Sequence, residues 1–176
     1  MGRVILYIAI SLDGYIAETD GSVDWLQPFE EQGEDYSYDV LWQRLGALIM
    51  GGKTYRQVLG FGSWPYGDRS TYVLTRQPLG DPPRPTIQAY AGDVGSLVQK
   101  IRQHTDGDLW LVGGAELVGQ VLQQNLLDEL ILACMPLLIG DGIRLFQPGY
   151  PTQHWQLLKA HSFPSGVVLS HYRKRE

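Results

Sequence analysis

The chain has 176 residues, of which 44% are hydrophobic and 19% are charged, and its formal net charge at pH 7 is −5. Residues 1–176 are enough for one domain with a substantial core, and the acidic balance argues against a nucleic-acid partner, because phosphate backbones select basic surfaces. Cys134 is the only cysteine, which excludes an intramolecular disulfide and a multi-cysteine metal site and leads us to expect a cytoplasmic protein.

The N-terminal segment predicts a central strand followed by a long loop. Val4–Ser11 is rich in Ile, Leu, Val and Tyr, which favours a strand. It is too short to span a membrane or to serve as a signal peptide, so we expect no membrane partner. Turn signals at Asp13-Gly14 and Asp20-Gly21 follow, and an acidic, aromatic stretch continues to Tyr38. A loop of this length within one domain is usually functional.

A helix, a strand and a pair of glycines come next. Residues 38–45 have helical spacing and end at Gly46, which we interpret as a C-terminal stop. Residues 47–50 predict a buried strand, and Gly51-Gly52-Lys53-Thr54 leads into a helix over residues 54–59. The chain therefore enters a helix directly from a strand through two glycines.

Further strands follow at regular intervals. A third strand over residues 70–74 ends in Thr75-Arg76, and a short strand over residues 86–90 precedes a helix over residues 94–103. Asp93 is the expected N-cap of that helix, because its side chain can accept a hydrogen bond from the first turn. Strands and helices thus alternate through the first two thirds of the chain.

The strand–glycine–helix pattern recurs over residues 109–124. Residues 109–112 predict a buried strand, Gly113-Gly114 follows, and residues 115–124 have helical spacing. Such a junction puts free backbone N–H groups and the positive end of a helix at the sheet edge, where they attract a phosphate. Alternatively, the two glycines serve only the backbone angles of a tight turn.

The C-terminal third predicts three strands. Residues 130–135 form one, and residues 155–160 and 167–172 form an antiparallel pair joined by Pro164-Ser165-Gly166. Strands alternating with helices and ending in a hairpin predict a single α/β domain with a mixed central sheet flanked by helices.

Three strand ends carry candidate phosphate contacts: Gly51–Thr54, Thr75-Arg76 and Gly113-Gly114. Carboxyl ends of parallel strands share one edge of a sheet, so these loops can meet in one crevice, and several anion contacts there suit a dinucleotide. The standard fingerprints do not fit, because Gly113-Gly114 lacks the G-x-G-x-x-G spacing and Ala47 stands where a P-loop needs a glycine. The histidines show no close paired spacing, so we expect no metal. No serine lies in the sequence context of a nucleophile elbow.

Taken together and in this order, the motifs resemble the dihydrofolate reductase-like fold over nearly the full chain. They are Ser11-Leu12-Asp13-Gly14-Tyr15-Ile16-Ala17, Met50-Gly51-Gly52-Lys53-Thr54-Tyr55, Tyr72-Val73-Leu74-Thr75-Arg76 and Val112-Gly113-Gly114-Ala115. Within that fold, the chain looks more like the C-terminal reductase domain of the bifunctional riboflavin-biosynthesis deaminase-reductase. This likeness rests on Ser11–Gly14 with Ala17, Asp20-Gly21 and Trp25, and on Pro136–Gly142 followed by Leu145-Phe146.

The resemblance implies that NADPH binds in an extended pose along the carboxyl edge of the sheet. Gly113 and Gly114 would lie at the nicotinamide and pyrophosphate end, Lys53 and Thr54 at the phosphates, and Thr75-Arg76 at the adenosine 2′-phosphate. The residues that the resemblance assigns to the cofactor are Ala9, Asp13, Gly14, Gly51, Gly52, Lys53, Thr54, Leu74, Thr75, Arg76, Val112, Gly113, Gly114, Ala115, Glu116 and Leu117.

The same resemblance implies a lid and a proton donor. Residues 13–25, here called the lid loop, would close over the site, with Trp25 against the substrate. In dihydrofolate reductases a Trp is followed by a Pro three positions later and by an acidic residue two after that, and Trp25, Pro28 and Glu30 reproduce this spacing. A carboxyl group in an apolar pocket has a raised pKa and can donate a proton, so Glu30 is the candidate catalytic residue. Alternatively, Glu30 belongs to a solvated acidic run with Glu31.

Three positions depart from the pattern of these relatives. Gly52 stands where many carry a phosphate-binding Arg, which bears on the choice between NADPH and NADH. Ala133-Cys134 replace the Thr-His pair that supports folate binding, and Val118 stands where an aromatic residue often packs near the nicotinamide. Folate reduction is therefore disfavoured.

The resemblance as a whole implies an NADPH-dependent reductase, similar to 5-amino-6-(5-phosphoribosylamino)uracil reductase of riboflavin biosynthesis. Its reaction would be hydride transfer to a ribosylamino imine or a similar small heterocyclic substrate. Two alternatives remain open: a dihydrofolate reductase, and a nucleotide-binding module without turnover. Relatives in this branch are usually dimers, so we expect a homodimer that binds a small-molecule substrate.

Overall fold

Strands dominate the computed structural model, which describes residues 1–175. Within that range the strands are β1 Val4–Ser11, β2 Tyr15–Ala17, β3 Leu45–Gly51, β4 Ser70–Leu74, β5 Ile87–Tyr90, β6 Asp108–Gly113, β7 Glu129–Met135, β8 Ile143–Arg144, β9 Trp155–Ser162 and β10 Val168–Lys174. The α-helices are α1 Gln27–Glu30, α2 Tyr38–Arg44, α3 Gly52–Gly60, α4 Val94–Arg102 and α5 Ala115–Gln123. None of these helices is long and apolar enough to cross a membrane.

Eight strands form one mixed sheet in the order β5-β4-β3-β6-β1-β7-β10-β9. The first six in this order are mutually parallel, whereas β10 is antiparallel to both β7 and β9. Parallel neighbours need crossover connections, and these place helices on the sheet faces. The predicted α/β domain with a mixed central sheet and an antiparallel C-terminal hairpin is therefore confirmed.

Helices cover both faces of the sheet and bury its alternating side chains. On one face, Leu97 of α4 and Val121 of α5 pack with Leu111 of β6. On the other face, Tyr55 of α3 belongs to the buried cluster that contains Leu48 of β3. Successive strand side chains point to opposite faces, so strands covered on both sides need apolar residues at nearly every position. This explains why the central strands are continuous apolar runs in the sequence.

Two expected helix boundaries are wrong. The helix α2 ends at Arg44, and Gly46 lies inside β3 instead of stopping a helix. A Cβ atom on Gly46 would collide with the side chain of Thr105, so the glycine is needed for close approach between chain segments. The helix α3 begins at Gly52, earlier than expected, which places Lys53 in its first turn.

A small second sheet ties the lid loop to the segment after β7. The strands β2 and β8 pair antiparallel, with Tyr15 opposite Arg144. The Arg144 guanidinium lies over the Tyr15 ring, 4.6 Å from its centroid, and donates a hydrogen bond of 2.9 Å to the Tyr15 hydroxyl. The N–H of Leu145 donates to the carbonyl of Gly14 at 3.0 Å. These contacts hold the two segments side by side at the sheet edge.

Candidate active site

Five parallel strands end at one edge of the sheet and bring the predicted loops into a row. Gly51 at the end of β3 pairs with Leu74 at the end of β4, and Ser11 at the end of β1 pairs with Met135 at the end of β7. The strand β6, which ends at Gly113, lies between β3 and β1. Ligands of open parallel sheets bind beyond this edge. The three candidate phosphate loops therefore meet there.

Backbone segments approach each other closely at the glycines of this edge, Gly51, Gly52, Gly113 and Gly114, here called the glycine row. A Cβ on Gly51 would lie 3.9 Å from both the carbonyl oxygen of Gly113 and the nitrogen of Gly114. Gly113 has a φ of +136°, a region that glycine adopts readily, and its peptide bond to Gly114 is cis. The backbone angle thus accounts for the glycine at position 113, whereas a side chain at position 51 would begin with ordinary van der Waals contacts.

Two nine-residue helices start at the glycine row without a side-chain cap, and this feature points to an anion. The N-cap of α3 is Gly51 and that of α5 is Gly114, and neither glycine has a side chain to accept the first free N–H groups. By contrast, Asp93 caps α4 as predicted, accepting from the N–H of Ser96. Uncapped N–H groups and the positive end of a helix dipole attract phosphate. The edge therefore has two anion-binding helix ends side by side.

Cationic side chains accompany these helix ends. Lys53 of α3 lies 3.1 Å from Glu116 of α5, and both side chains are well exposed. A Cβ on Gly52 would lie 3.0 Å from Oγ1 of Thr75 and 3.4 Å from a guanidinium nitrogen of Arg56. A larger residue at position 52 would have to displace Thr75. Arg56, one helical turn further along α3, therefore supplies a guanidinium close to the position at which the resemblance led us to expect an arginine.

Asp13, which the resemblance assigns to the cofactor, holds two loops together. Its carboxylate accepts hydrogen bonds from the Ser11 hydroxyl at 2.5 Å, the Gly140 N–H at 2.7 Å and the Ile139 N–H at 3.2 Å. These hydrogen bonds, the one from Ser11 above all, lower the pKa of Asp13 to about 2, so the group is ionised at neutral pH. Asp13 thereby fixes the segment after β7 against the start of the lid loop.

A groove of about 490 Å³ lies between these two segments and is here called the lid groove. It is lined by Glu18, Thr19, Trp25, Leu137, Leu138, Ile139 and Asp141. Its walls come from the segments that follow β1 and β7, and β1 is the neighbour of β6 in the sheet. A substrate in the lid groove would therefore lie beside a dinucleotide bound at the glycine row.

Comparison with known proteins agrees with this geometry. A family model described as the RibD C-terminal domain matches residues 64–169, which is more than half of the chain. The chain belongs to the RibD C-terminal domain family. It is 33% identical over 172 residues to the uncharacterized protein YwjB of Bacillus subtilis strain 168, and the match covers 97% of this chain and 98% of that one.

Solved structures share the fold of this member of the RibD C-terminal domain family. A putative riboflavin biosynthesis protein from Shewanella sp. PV-4 superposes with a TM-score of 0.86 at 26% identity, covering 99% of both chains. A diaminohydroxyphosphoribosylaminopyrimidine deaminase/5-amino-6-(5-phosphoribosylamino)uracil reductase from Thermotoga maritima gives a TM-score of 0.74 at 16% identity. That match covers 99% of this chain but 57% of the Thermotoga chain, and at this identity it shows the fold alone.

Trp25 and Glu30 lie in different surroundings. Trp25 belongs to a 3-10 turn, Asp24–Leu26, and its indole N–H is buried without a hydrogen-bond partner among residues 1–175. Glu30 is the last residue of α1 and is exposed. The Glu30 side chain therefore does not lie in the apolar pocket that its predicted catalytic role would need.

The remaining residues assigned to the cofactor lie at the sheet edge but contribute in different ways. Ala9, Leu74 and Val112 are half-buried near the ends of their strands. Ala115 and Leu117, in the first turn of α5, are buried, and the Leu117 side chain is part of the core. Leu117 can therefore offer a ligand only its backbone. Within residues 1–175, no cluster of three His, Cys, Asp or Glu side chains is placed to hold a metal ion.

An ion cluster that the sequence pattern did not predict surrounds Glu129 at the opposite edge of the sheet, where β7 begins. The buried Glu129 carboxylate lies 2.8 Å from Arg3, 3.0 Å from Arg44, 3.0 Å from His171 and 3.4 Å from Arg173. Burial favours the neutral acid, but the hydrogen bonds and charges of Arg44 and His171 outweigh it, so the pKa of Glu129 is lowered. The cluster joins α2, β7 and β10 and is remote from the glycine row.

Proposed function

We propose that this protein is an NADPH-dependent reductase that transfers hydride to the imine carbon of a ribosylamino heterocycle or a similar small heterocyclic substrate. The observation that carries the proposal is the pair of uncapped helix N-termini in the glycine row, flanked by cations, at the sheet edge that also carries the lid groove. Membership of the RibD C-terminal domain family supports a pyrimidine reductase-like activity.

The residues of the glycine row fit the phosphates of a dinucleotide. Free N–H groups at the starts of α3 and α5 would bind the pyrophosphate, and Lys53 would add a point charge. Thr75, Arg56 and Arg76 would hold the adenosine 2′-phosphate, because a guanidinium fork matches phosphate oxygens. When bound, NADPH supplies the hydride, and the protein provides position and exclusion of water.

The lid groove would hold the substrate against the cofactor. Trp25 and Leu137 offer apolar surface to a heterocyclic ring, and the lid loop would exclude water from the reacting carbon. The exposed position of Glu30 favours one alternative, a nucleotide-binding module without turnover, because that module needs no proton donor. Oxidation of NADPH in the presence of candidate imines, and separately of dihydrofolate, distinguishes the reductase from both alternatives.

A matched pair of glycine substitutions tests the cofactor assignment. Gly114→Asp puts a carboxylate at the N-cap of α5, whereas Gly119→Asp adds the same group in the same helix, where a Cβ meets no atom within 4 Å. We expect NADPH to raise the melting temperature of the wild type and of Gly119→Asp, and to leave that of Gly114→Asp unchanged. Equal stabilisation of all three proteins by NADPH would contradict the assignment of the cofactor to the glycine row.

We further propose that the chain acts as a cytoplasmic homodimer. The strand β9 is an edge strand with seven of its eight residues exposed, including Leu157 and Leu158. Long exposed edge strands with apolar side chains favour pairing with another chain, and a second copy is the partner that we assign to this edge. The single cysteine supports the cytoplasmic location.

A further inference from the structure

In the segment that includes the lid loop, every charged residue is acidic. Between Arg3 and Arg44 the sequence has nine Asp and Glu residues and no Lys, Arg or His. The whole chain has 19 Asp and Glu residues, so nearly half of its carboxylates lie in this quarter of the sequence. A ligand that enters beneath the lid loop therefore meets a negative potential.

The charged side chains that line the lid groove are also acidic. Glu18 and Asp141, on opposite walls, are the ionisable side chains among the residues that line it. The cation on the neighbouring strand β8, Arg144, is held by the ring and hydroxyl of Tyr15 and by the carbonyl of Asp13. The Asp13 carboxylate, which accepts hydrogen bonds from the N–H groups of Ile139 and Gly140, adds a further negative charge beside one wall of the groove.

The opposite end of the same sheet edge is cationic. Lys53 and Arg56 lie on α3, and Arg76 follows β4, so these three cations accompany the ends of β3 and β4. Charge is thus unevenly distributed along the edge: the cations and the uncapped helix N-termini lie near β3, β4 and β6, where Glu116 is paired with Lys53, and the carboxylates of Asp13, Glu18 and Asp141 lie near β1 and β7. A phosphate is attracted to the first region and repelled by the second.

Building on the proposed reductase function, we propose that the lid groove takes an uncharged or cationic heterocycle that carries no phosphate. The carboxylates of Glu18 and Asp141 would accept hydrogen bonds from amino and ribosyl hydroxyl groups. Trp25 and Leu137 would pack against the ring. The substrate class therefore differs from the phosphoribosylamino compound in the name of the Thermotoga enzyme.

Direct binding of a matched pair of compounds tests this inference. The probes are 5-amino-6-ribosylaminouracil and its 5′-phosphate, titrated by calorimetry into the full-length protein with and without saturating NADP⁺, which has no hydride to transfer. We expect the unphosphorylated compound to bind at least about tenfold more tightly, and the difference to shrink as ionic strength rises, because salt screens exposed charges. Binding is measured without turnover, so the result does not depend on the identity of the proton donor.

Substitutions in the groove give the second arm of the test. We expect Glu18→Gln with Asp141→Asn to reduce the preference for the unphosphorylated compound by about tenfold, since both amides keep an acceptor oxygen but lose the charge. Asp106→Asn, an exposed site before β6, removes one charge far from the groove and should leave the preference unchanged.

The outcomes separate this inference from the proposed function. Tighter binding of the phosphorylated compound, equal effects of the groove and control substitutions, or no binding of either compound would overturn the inference. The reductase function fails on a different result, namely that NADPH neither stabilises the protein nor is oxidised with any imine. A protein that oxidises NADPH only with phosphorylated imines would retain the function and lose the inference.

Discussion

At the residue scale, we propose that Arg56 sets the preference between NADPH and NADH. One of its guanidinium nitrogens lies 3.4 Å from the place that a Cβ on Gly52 would take, and the same Cβ would press on the side chain of Thr75. We expect Arg56→Ala to weaken NADPH binding about tenfold, equivalent to about 1.4 kcal/mol, while NADH binding changes little, because only NADPH carries the 2′-phosphate. Fluorescence titration with both cofactors measures this. Arg84→Ala, at an exposed arginine that pairs with Asp68, serves as the control; parallel losses for NADPH and NADH would contradict the assignment.

The same residues show what the sequence could and could not predict. Gly51-Gly52 and Gly113-Gly114 are visible as glycine pairs after apolar runs, because strand and helix patterns are local. Arg56 lies four residues after Gly52, a spacing that puts both on one helix face and would have identified it. The contacts of Glu129 were not predictable, because residues remote in sequence, Arg3 and Arg44, must first be brought to it by the sheet.

At the scale of elements, the lid loop is more firmly attached than its sequence indicated. Turn signals at Asp13-Gly14 predicted a loop, and the assignment of Asp13 to the cofactor came from resemblance. In the structure the Asp13 carboxylate fixes the segment after β7, and Gln57 of α3 donates to the carbonyl of Gly21 at 2.7 Å. The loop thus contacts both the groove wall and the helix that begins in the glycine row. Only the tertiary structure reveals such coupling, because each contact joins distant segments.

At this scale, we propose that the edge strand β9 decides the oligomeric state. We expect light scattering to give a mass of twice the 19.7 kDa chain. Substituting Lys for both Leu157 and Leu158 should give a monomer, because like charges on the two faces of an edge strand oppose its pairing. Phe61→Lys, at an exposed site after α3, should stay dimeric. A wild type that is monomeric at all concentrations would refute the homodimer.

At the scale of the whole molecule, the candidate binding site and the buried ion cluster lie at opposite edges of the sheet. The carboxyl edge carries the glycine row and the lid groove, whereas the Glu129 cluster joins α2, β7 and β10 at the other edge. Helix N-termini without caps and like charges around a groove do not stabilise a fold, because they leave polar groups to be satisfied by ligand or solvent. The buried Glu129 carboxylate and its several partners lie at the far edge, so we expect changes in this cluster to alter the stability of the fold without altering ligand binding.

This separation predicts how stability depends on Glu129 and on pH. Glu129→Gln should lower the free energy of unfolding by about 3 kcal/mol at pH 7, at the low end for a broken buried ion pair because the arginines reach solvent. The pKa of Glu129 is lowered from 4.5 in the folded protein, so its contribution is complete above about pH 5 and is lost as the pH falls through the folded value. Urea unfolding at pH 7 and at pH 4 should therefore show a smaller difference between wild type and variant at pH 4.

Glu116→Gln, which breaks the exposed pair with Lys53, should change stability by less than about 1 kcal/mol at either pH; a loss as large as that of Glu129→Gln would contradict the role of burial.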